Sequence, residues 1–137
     1  MVHVASTWRR MKYRYNLYGN KCEKCGTVDF PSRIICPKCR RSGKIKEIKF
    51  SGLGKVYSFT HVHVPPEGYE LQIPYILAII ELDEGPRLTT QVVECDIKDV
   101  KIGMPVEMVF RKLIEDEDCG LIHYGFKFRP LLINAKR

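Results

Sequence analysis

Six cysteines stand in a chain of 137 residues, and four of them have a spacing that can do chemistry. Cys22 and Cys25 form one Cys-x-x-Cys pair, Cys36 and Cys39 form a second, and ten residues separate the pairs. Two such pairs joined by a short hairpin can bring four thiolates to the corners of a tetrahedron. Zn2+ favours this soft, four-coordinate arrangement, and a site with four protein ligands is closed to substrate and therefore structural. Gly26 follows the first pair and Pro37 sits inside the second, which suits tight knuckles whose backbone N–H groups point at the sulfurs. Lys21, Lys24, Lys38, Arg40 and Arg41 surround the site and offset its negative charge. Iron in the same sulfur cage is a rival that geometry leaves open. A pair of disulfides is disfavoured, because Met1 to Trp8 has neither the long apolar core nor the cleavage site of a secretion signal. A redox dithiol is disfavoured because two pairs coexist and no flanking pattern suits one.

The other candidates for chemistry are weaker. Cys95 and Cys119 read as idle or buried thiols, since a catalytic thiol needs a base and an oxyanion hole. His61, His63 or His123 would have to supply the base, and nothing in the sequence brings one to either cysteine. His61 and His63 share a strand face but lack a third metal ligand. No nucleophile elbow, phosphate loop, dinucleotide fingerprint or HExxH motif is present. The expectation is a protein without a catalytic site of its own.

The elements that must position the four cysteines follow from periodicity. Residues 5–18 read as a helix, capped by Ser6 or Thr7 and stopped by Gly19. Trp8, Met11, Tyr15 and Tyr18 make one apolar stripe, while Tyr13 and Leu17 lie nearly opposite, with arginines and a lysine over much of the rest. A short helix with two apolar sides needs two covering surfaces. Trp8, Tyr13, Tyr15 and Leu17 are therefore candidate partner-binding residues. After the cysteine module the signal turns to strands. Residues 44–64 read as one long strand bent at Gly52 and Gly54, followed by 75–83, 88–94 and the alternating segments around 106–111 and 122–128. Five strands, the first long and kinked, with a connector at 96–103 after the third, match a small Greek-key barrel of the OB type. The expected class is mainly β: an N-terminal helix over 1–19, a rubredoxin-like zinc ribbon over 20–43 and a five-stranded OB-fold barrel over 44–137.

Charge divides the chain. The net charge is +7, yet residues 1–50 hold 13 Lys/Arg against three acids and the remainder nets −3. A basic front suits nucleic acid, coenzyme phosphates or an acidic protein surface. Ribbons and OB-folds both bind nucleic acid, and Tyr57, Phe59, His61 and His63 fall on one face of a strand where bases could stack. The acidic balance of the barrel half disfavours that reading. No apolar run approaches the ~18 residues of a membrane span, so no membrane is expected and the cytoplasm is the expected location. Scarce Gln and Asn beside abundant Lys, Glu and Ile suggest a heat-adapted source.

The order of parts resembles a known family. A basic aromatic helix leads into CxxCG, then Phe30-Pro31-Ser32-Arg33, then CPxC. The segments Gly52 to Thr60, Pro74-Tyr75, Glu81 to Gly85 and Ile102 to Val106 follow. Together they resemble the zinc-ribbon plus OB-fold acyl-CoA-associated family long called domain of unknown function 35, over nearly the whole chain. The resemblance implies a non-catalytic accessory subunit for thiolase-superfamily enzymes, with Zn2+ on Cys22, Cys25, Cys36 and Cys39. For archaeal proteins of this type it implies a bridge between acetoacetyl-CoA thiolase and hydroxymethylglutaryl-CoA synthase in the mevalonate route, with acyl-CoA at the shared interface.

Overall fold

The computed structural model describes residues 4–115 and 120–131; Cys119 lies outside them. Helix α1 (Val4–Tyr15) opens the chain and runs into strand β1 (Tyr18–Cys22). The helix ends three residues before the expected stop. Asn16 N–H still donates to Lys12 O at 3.2 Å, but Tyr18 N–H already donates to Asn16 O at 3.0 Å and the chain extends. Leu17 is the reason. It is 1% exposed, packs with Phe50, and its carbonyl accepts the Phe50 N–H at 2.8 Å. Burying a leucine is worth about 1.5–3 kcal/mol, whereas one more turn on a short helix adds little.

The ribbon is a three-stranded antiparallel sheet in the order β2 (Val28–Asp29), β1, β3 (Ile45–Lys49). β3 pairs with β1 from Tyr18↔Lys49 to Cys22↔Ile45. The segment expected as one bent strand is thus two strands in two sheets. Phe50, 3% exposed, turns into the core between them and breaks the run. The ribbon reaches to Lys49, and the barrel begins at β4 (Leu53–Val62).

The barrel continues with β5 (Tyr75–Leu82), β6 (Arg87–Val92), β7 (Pro105–Glu115) and β8 (Ile122–Pro130), closed in the order β4-β5-β6-β8-β7. This five-strand closed order is consistent with the expected OB-fold. The parallel closure of β6 on β8 is narrow: Val92 pairs with Phe128, and Val93 N–H donates to Phe128 O at 2.8 Å. Inward residues fill the centre, among them Val56, Ile76, Ile80, Leu82, Val106 and Phe128.

Ribbon and barrel share this core. Phe30, beside the ribbon strands, lies edge-on to both Phe50 and Phe126 with centroids 6.0 Å away in each case, and Phe126 contacts Phe128 at 6.4 Å. Helix α1 is wedged between the two modules. Tyr15 packs edge-on against Phe110 of β7 at 5.0 Å, while Lys12 pairs with Glu47 of β3 and lies 4.5 Å over the Tyr18 ring.

Candidate functional site

The two Cys-x-x-Cys pairs fold into matching knuckles at the ribbon end. In the first, Gly26 N–H donates to Cys22 O at 2.8 Å and Gly26 takes φ 72°. In the second, Arg40 N–H donates to Cys36 O at 2.8 Å and Arg40 takes φ 51°. Glycine supplies this left-handed turn without steric cost; arginine does so only where the surroundings hold it. The result gathers four sulfurs, all within 4.8 Å of one another. Zn–S bonds of about 2.3 Å in a tetrahedron demand sulfur separations of roughly 3.8 Å, and Cys25 Sγ stands 3.5 Å from Cys36 Sγ. The donor set fits Zn2+ with only small adjustment. Cys39 N–H points at Cys36 Sγ from 3.4 Å, the N–H-to-sulfur contact that tight knuckles allow.

Protonation of the four thiols tells the same story. The Thr27 hydroxyl and backbone N–H hold the Cys25 thiol down to about 6. The Cys25 backbone N–H lowers Cys22. Cys39 moves the other way, pushed up to about 12 by its hydrogen bond with the Cys25 side chain and then by burial. Without a cation one thiol must keep its proton, because adjacent thiolates repel. A divalent ion at the centre removes that conflict and deprotonates the set. Cys22 and Cys36 are buried, Cys25 is exposed and Cys39 is intermediate, so the site lies at the surface with two ligands rooted in the ribbon.

Two supporting residues escaped the sequence reading. A Cβ on Gly43 would stand 2.8 Å from Cys36 Cβ and 3.2 Å from Cys39 Cβ, so only glycine lets the chain leave the second knuckle. Its signal was its place: a glycine four residues beyond the last ligand. Asn20, 1% exposed, accepts the Arg33 N–H on Oδ1 at 2.6 Å and ties the inter-pair loop to β1. A lone Asn in a strand gives no such signal.

The expected partner-binding residues separate. Trp8 is 72% exposed and Tyr13 is also exposed. Tyr15 is half-buried against Phe110, and Leu17 belongs to the protein's own core, so Leu17 is withdrawn from the docking surface. Each expected stripe therefore mixes outward and covered side chains. The inner face of α1 is instead Thr7, Met11, Arg14 and Tyr15, which border a small cleft with Ile122 and Tyr124 of β8. Further apolar side chains stand exposed at the ribbon tip, where Ile34 is 96% exposed beside Ile35.

The expected aromatic face is broken at Tyr57, while Phe59 and His61 keep a ring contact at 5.5 Å. A register shift between Val56 and Ser58 leaves Tyr57 as an extra residue in β4. Such a bulge reverses the alternation, so Tyr57 points out while Phe59 packs against the core. Tyr57 is covered by the Arg87 guanidinium, 3.6 Å from its ring centroid. Cys95 is half-buried beside Asp96 and Asp99; burial first, then those carboxylates, pushes its thiol up, the opposite of an activated nucleophile. Among the described residues, only the four knuckle cysteines form a metal-holding group, so His61 and His63 stay outside one. No helix among the described residues is long and apolar enough to cross a membrane.

Residues 9–45 match the family described as "ChsH2, rubredoxin-like zinc ribbon domain", and residues 47–111 match "ChsH2, C-terminal OB-fold domain". A Methanocaldococcus jannaschii protein named "DUF35 domain-containing scaffold protein" is 57% identical over 93% of this chain and 91% of its own length. The "Benzoylsuccinyl-CoA thiolase subunit BbsA" of Geobacter metallireducens is 31% identical over 81% of this chain and 73% of its own. A solved structure, "Ltp2-ChsH2(DUF35) aldolase", superposes with TM-score 0.67 at 31% identity, covering 94% of this chain and 96% of that one. The metal is Zn2+ in a ribbon site, and the chain belongs to the DUF35 scaffold protein family, a ChsH2-type zinc ribbon joined to an OB-fold.

Proposed function

We propose that the protein is a non-catalytic scaffold that bridges acetoacetyl-CoA thiolase and hydroxymethylglutaryl-CoA synthase in the mevalonate pathway and lines part of their shared acyl-CoA channel. The observation that carries this reading is the match, over nearly the whole chain, to an archaeal protein named as a scaffold. The relative named as a thiolase subunit supports the enzyme class. The geometry supports two separate docking faces, which a bridge needs: the outer face of α1 with Trp8 and Tyr13, and the ribbon tip with Ile34 and Ile35. Exposed aromatics rimmed by arginine have the composition of interface hot spots. Zinc, in this role, stiffens the ribbon so that its tip is presented without an ordering cost.

The physical advantage is coupling. Condensing two acetyl thioesters is uphill, so the first product is best consumed where it forms. A scaffold that holds two active sites on one channel replaces diffusion with transfer at high effective concentration. The test is isotope dilution with the three purified proteins. Labelled acetyl-CoA is converted in the presence of unlabelled acetoacetyl-CoA. Hydroxymethylglutaryl-CoA that keeps its label when the scaffold is present, and loses it to the pool when the scaffold is omitted, supports the reading. Equal dilution in both mixtures would overturn it.

A further inference from the structure

Lys127 of β8 lines a cleft of about 690 Å³ between the end of α1, the loop after β4 and strands β5 to β8. Lysine is almost never fully buried unless paired, yet Lys127 is 6% exposed. Among the described residues its one hydrogen-bond partner is a neutral amide: Nζ donates to Gln72 Oε1 at 3.1 Å. Gln72 is itself held, because its Nε2 donates to Leu113 O at 3.2 Å, so the amide oxygen stays turned to the amine. No carboxylate among the described residues lies within ion-pair distance of Lys127, and the fixed charge beside it in the lining, Arg14, is also a cation. Burial first, and then Arg111, lowers the Lys127 pKa. The ammonium has lost water and gained no counter-charge, so more of this amine is neutral near pH 7 than of an ordinary lysine. A neutral amine is a nucleophile, and desolvation is one of the ways in which a lysine becomes one.

We propose that Lys127 is a covalent modification site: thioesters that reach the cleft transfer their acyl group to its Nζ. The nitrogen lone pair attacks the thioester carbonyl carbon, the N–C bond forms and the C–S bond breaks. The thiolate leaves with the bonding pair and takes up the proton that the nitrogen sheds. The products are an Nζ-acyl lysine and a free thiol, and no oxidant or reductant takes part. The Gln72 amide oxygen accepts one N–H and keeps the nitrogen at the cleft wall. Acylation then replaces a buried, unpaired cation with a neutral amide, which removes the desolvation penalty and changes the charge of the cleft. Delivery of a thioester to this wall rests on the acyl-CoA channel proposed above; the transfer to Lys127 goes beyond it. The two fail separately. Label lost equally in both isotope mixtures removes the bridge and leaves an acylated Lys127 standing, whereas an inert Lys127 removes only the modification.

Incubation of the zinc-loaded protein with acetyl-CoA near neutral pH, followed by proteolysis and peptide mass spectrometry, tests it. The acetylated fraction at each lysine is followed with time. Exposed lysines of the same chain, such as Lys55 and Lys101, are the internal reference. Lys127 is expected to be acetylated at least tenfold faster than either. Lys127→Arg keeps the positive charge and cannot be acylated in this way. It should abolish the fast phase of free thiol release, read with a thiol reagent, and leave acetylation of Lys55 and Lys101 unchanged. Acetylation of Lys127 no faster than that of the exposed lysines, or fast thiol release that persists in the Lys127→Arg protein, would each overturn the proposal. If Lys127→Arg does not fold, the ranking of lysines within the unmodified protein decides.

Discussion

At the residue scale the spacing of four cysteines was enough to identify the metal site, because a ribbon knuckle is local: each pair and its turn lie within five residues. What spacing could not show is how neighbouring hydrogen-bond donors set the thiols. Thr27 holds Cys25 down to about 6, below the ordinary thiol value of 9.0. In the metal-free protein this group binds fewer protons folded than unfolded between those values. Its stabilising contribution is therefore complete above about 9 and lost as pH falls through about 6. Thr27→Val removes the hydroxyl but not the backbone N–H. The pH at which zinc is released to a chromogenic chelator should rise in that variant, with the folded state at neutral pH retained. Cys36→Ser removes a ligand outright, and elemental analysis should then find much less than one zinc per chain. Structural zinc contributes of order 10 kcal/mol of apparent binding free energy in small modules, so the ribbon should unfold. The Phe30–Phe50–Phe126 contacts carry part of this loss into the barrel. Circular dichroism should keep the barrel's strand signal, while its melting temperature falls.

At the scale of elements, periodicity found α1 and the barrel strands but misjudged what ended them. Trp8, Met11, Tyr15 and Tyr18 have helical spacing in the sequence, yet Tyr18 is already in β1. The decision was made by Leu17 and Phe50, 33 positions apart, meeting in the core. No local pattern contains that information. The same contact split 44–64 into two strands. The bulge at Tyr57 was likewise invisible, since a bulge changes which face a residue occupies without changing composition. These corrections alter the test of docking. Trp8→Ala with Tyr13→Ala changes only outward side chains. It should leave the melting temperature nearly unchanged and weaken partner association about a thousandfold, at ~2 kcal/mol for each hot-spot aromatic. Met11→Ala with Tyr15→Ala removes the side facing β7 and β8. It should lower the melting temperature, and cost association only in proportion. Surface plasmon resonance beside thermal melts separates the two results, and reversed behaviour would place the docking side chains elsewhere.

At the scale of the whole molecule, composition and order of parts carried the fold class. The basic front, residues 1–50, suits an acidic partner, but the sequence does not say which. The structure places the barrel's charges in local pairs, such as Arg87 with Glu81 and Arg129 with Glu94 and Glu107. Affinity for single-stranded nucleic acid should accordingly be weak and steeply salt-dependent, and Phe59→Ala should change it only through stability. Filter binding at two salt concentrations checks this.

The bridge itself is tested most directly by mass. Purified acetoacetyl-CoA thiolase, hydroxymethylglutaryl-CoA synthase and the zinc-loaded scaffold are mixed and passed over a sizing column with light scattering. We expect a single species containing all three chains, and separate elution of the two enzymes when the scaffold is left out. Co-elution of the enzymes without the scaffold, or a scaffold that elutes alone from both, would contradict the account.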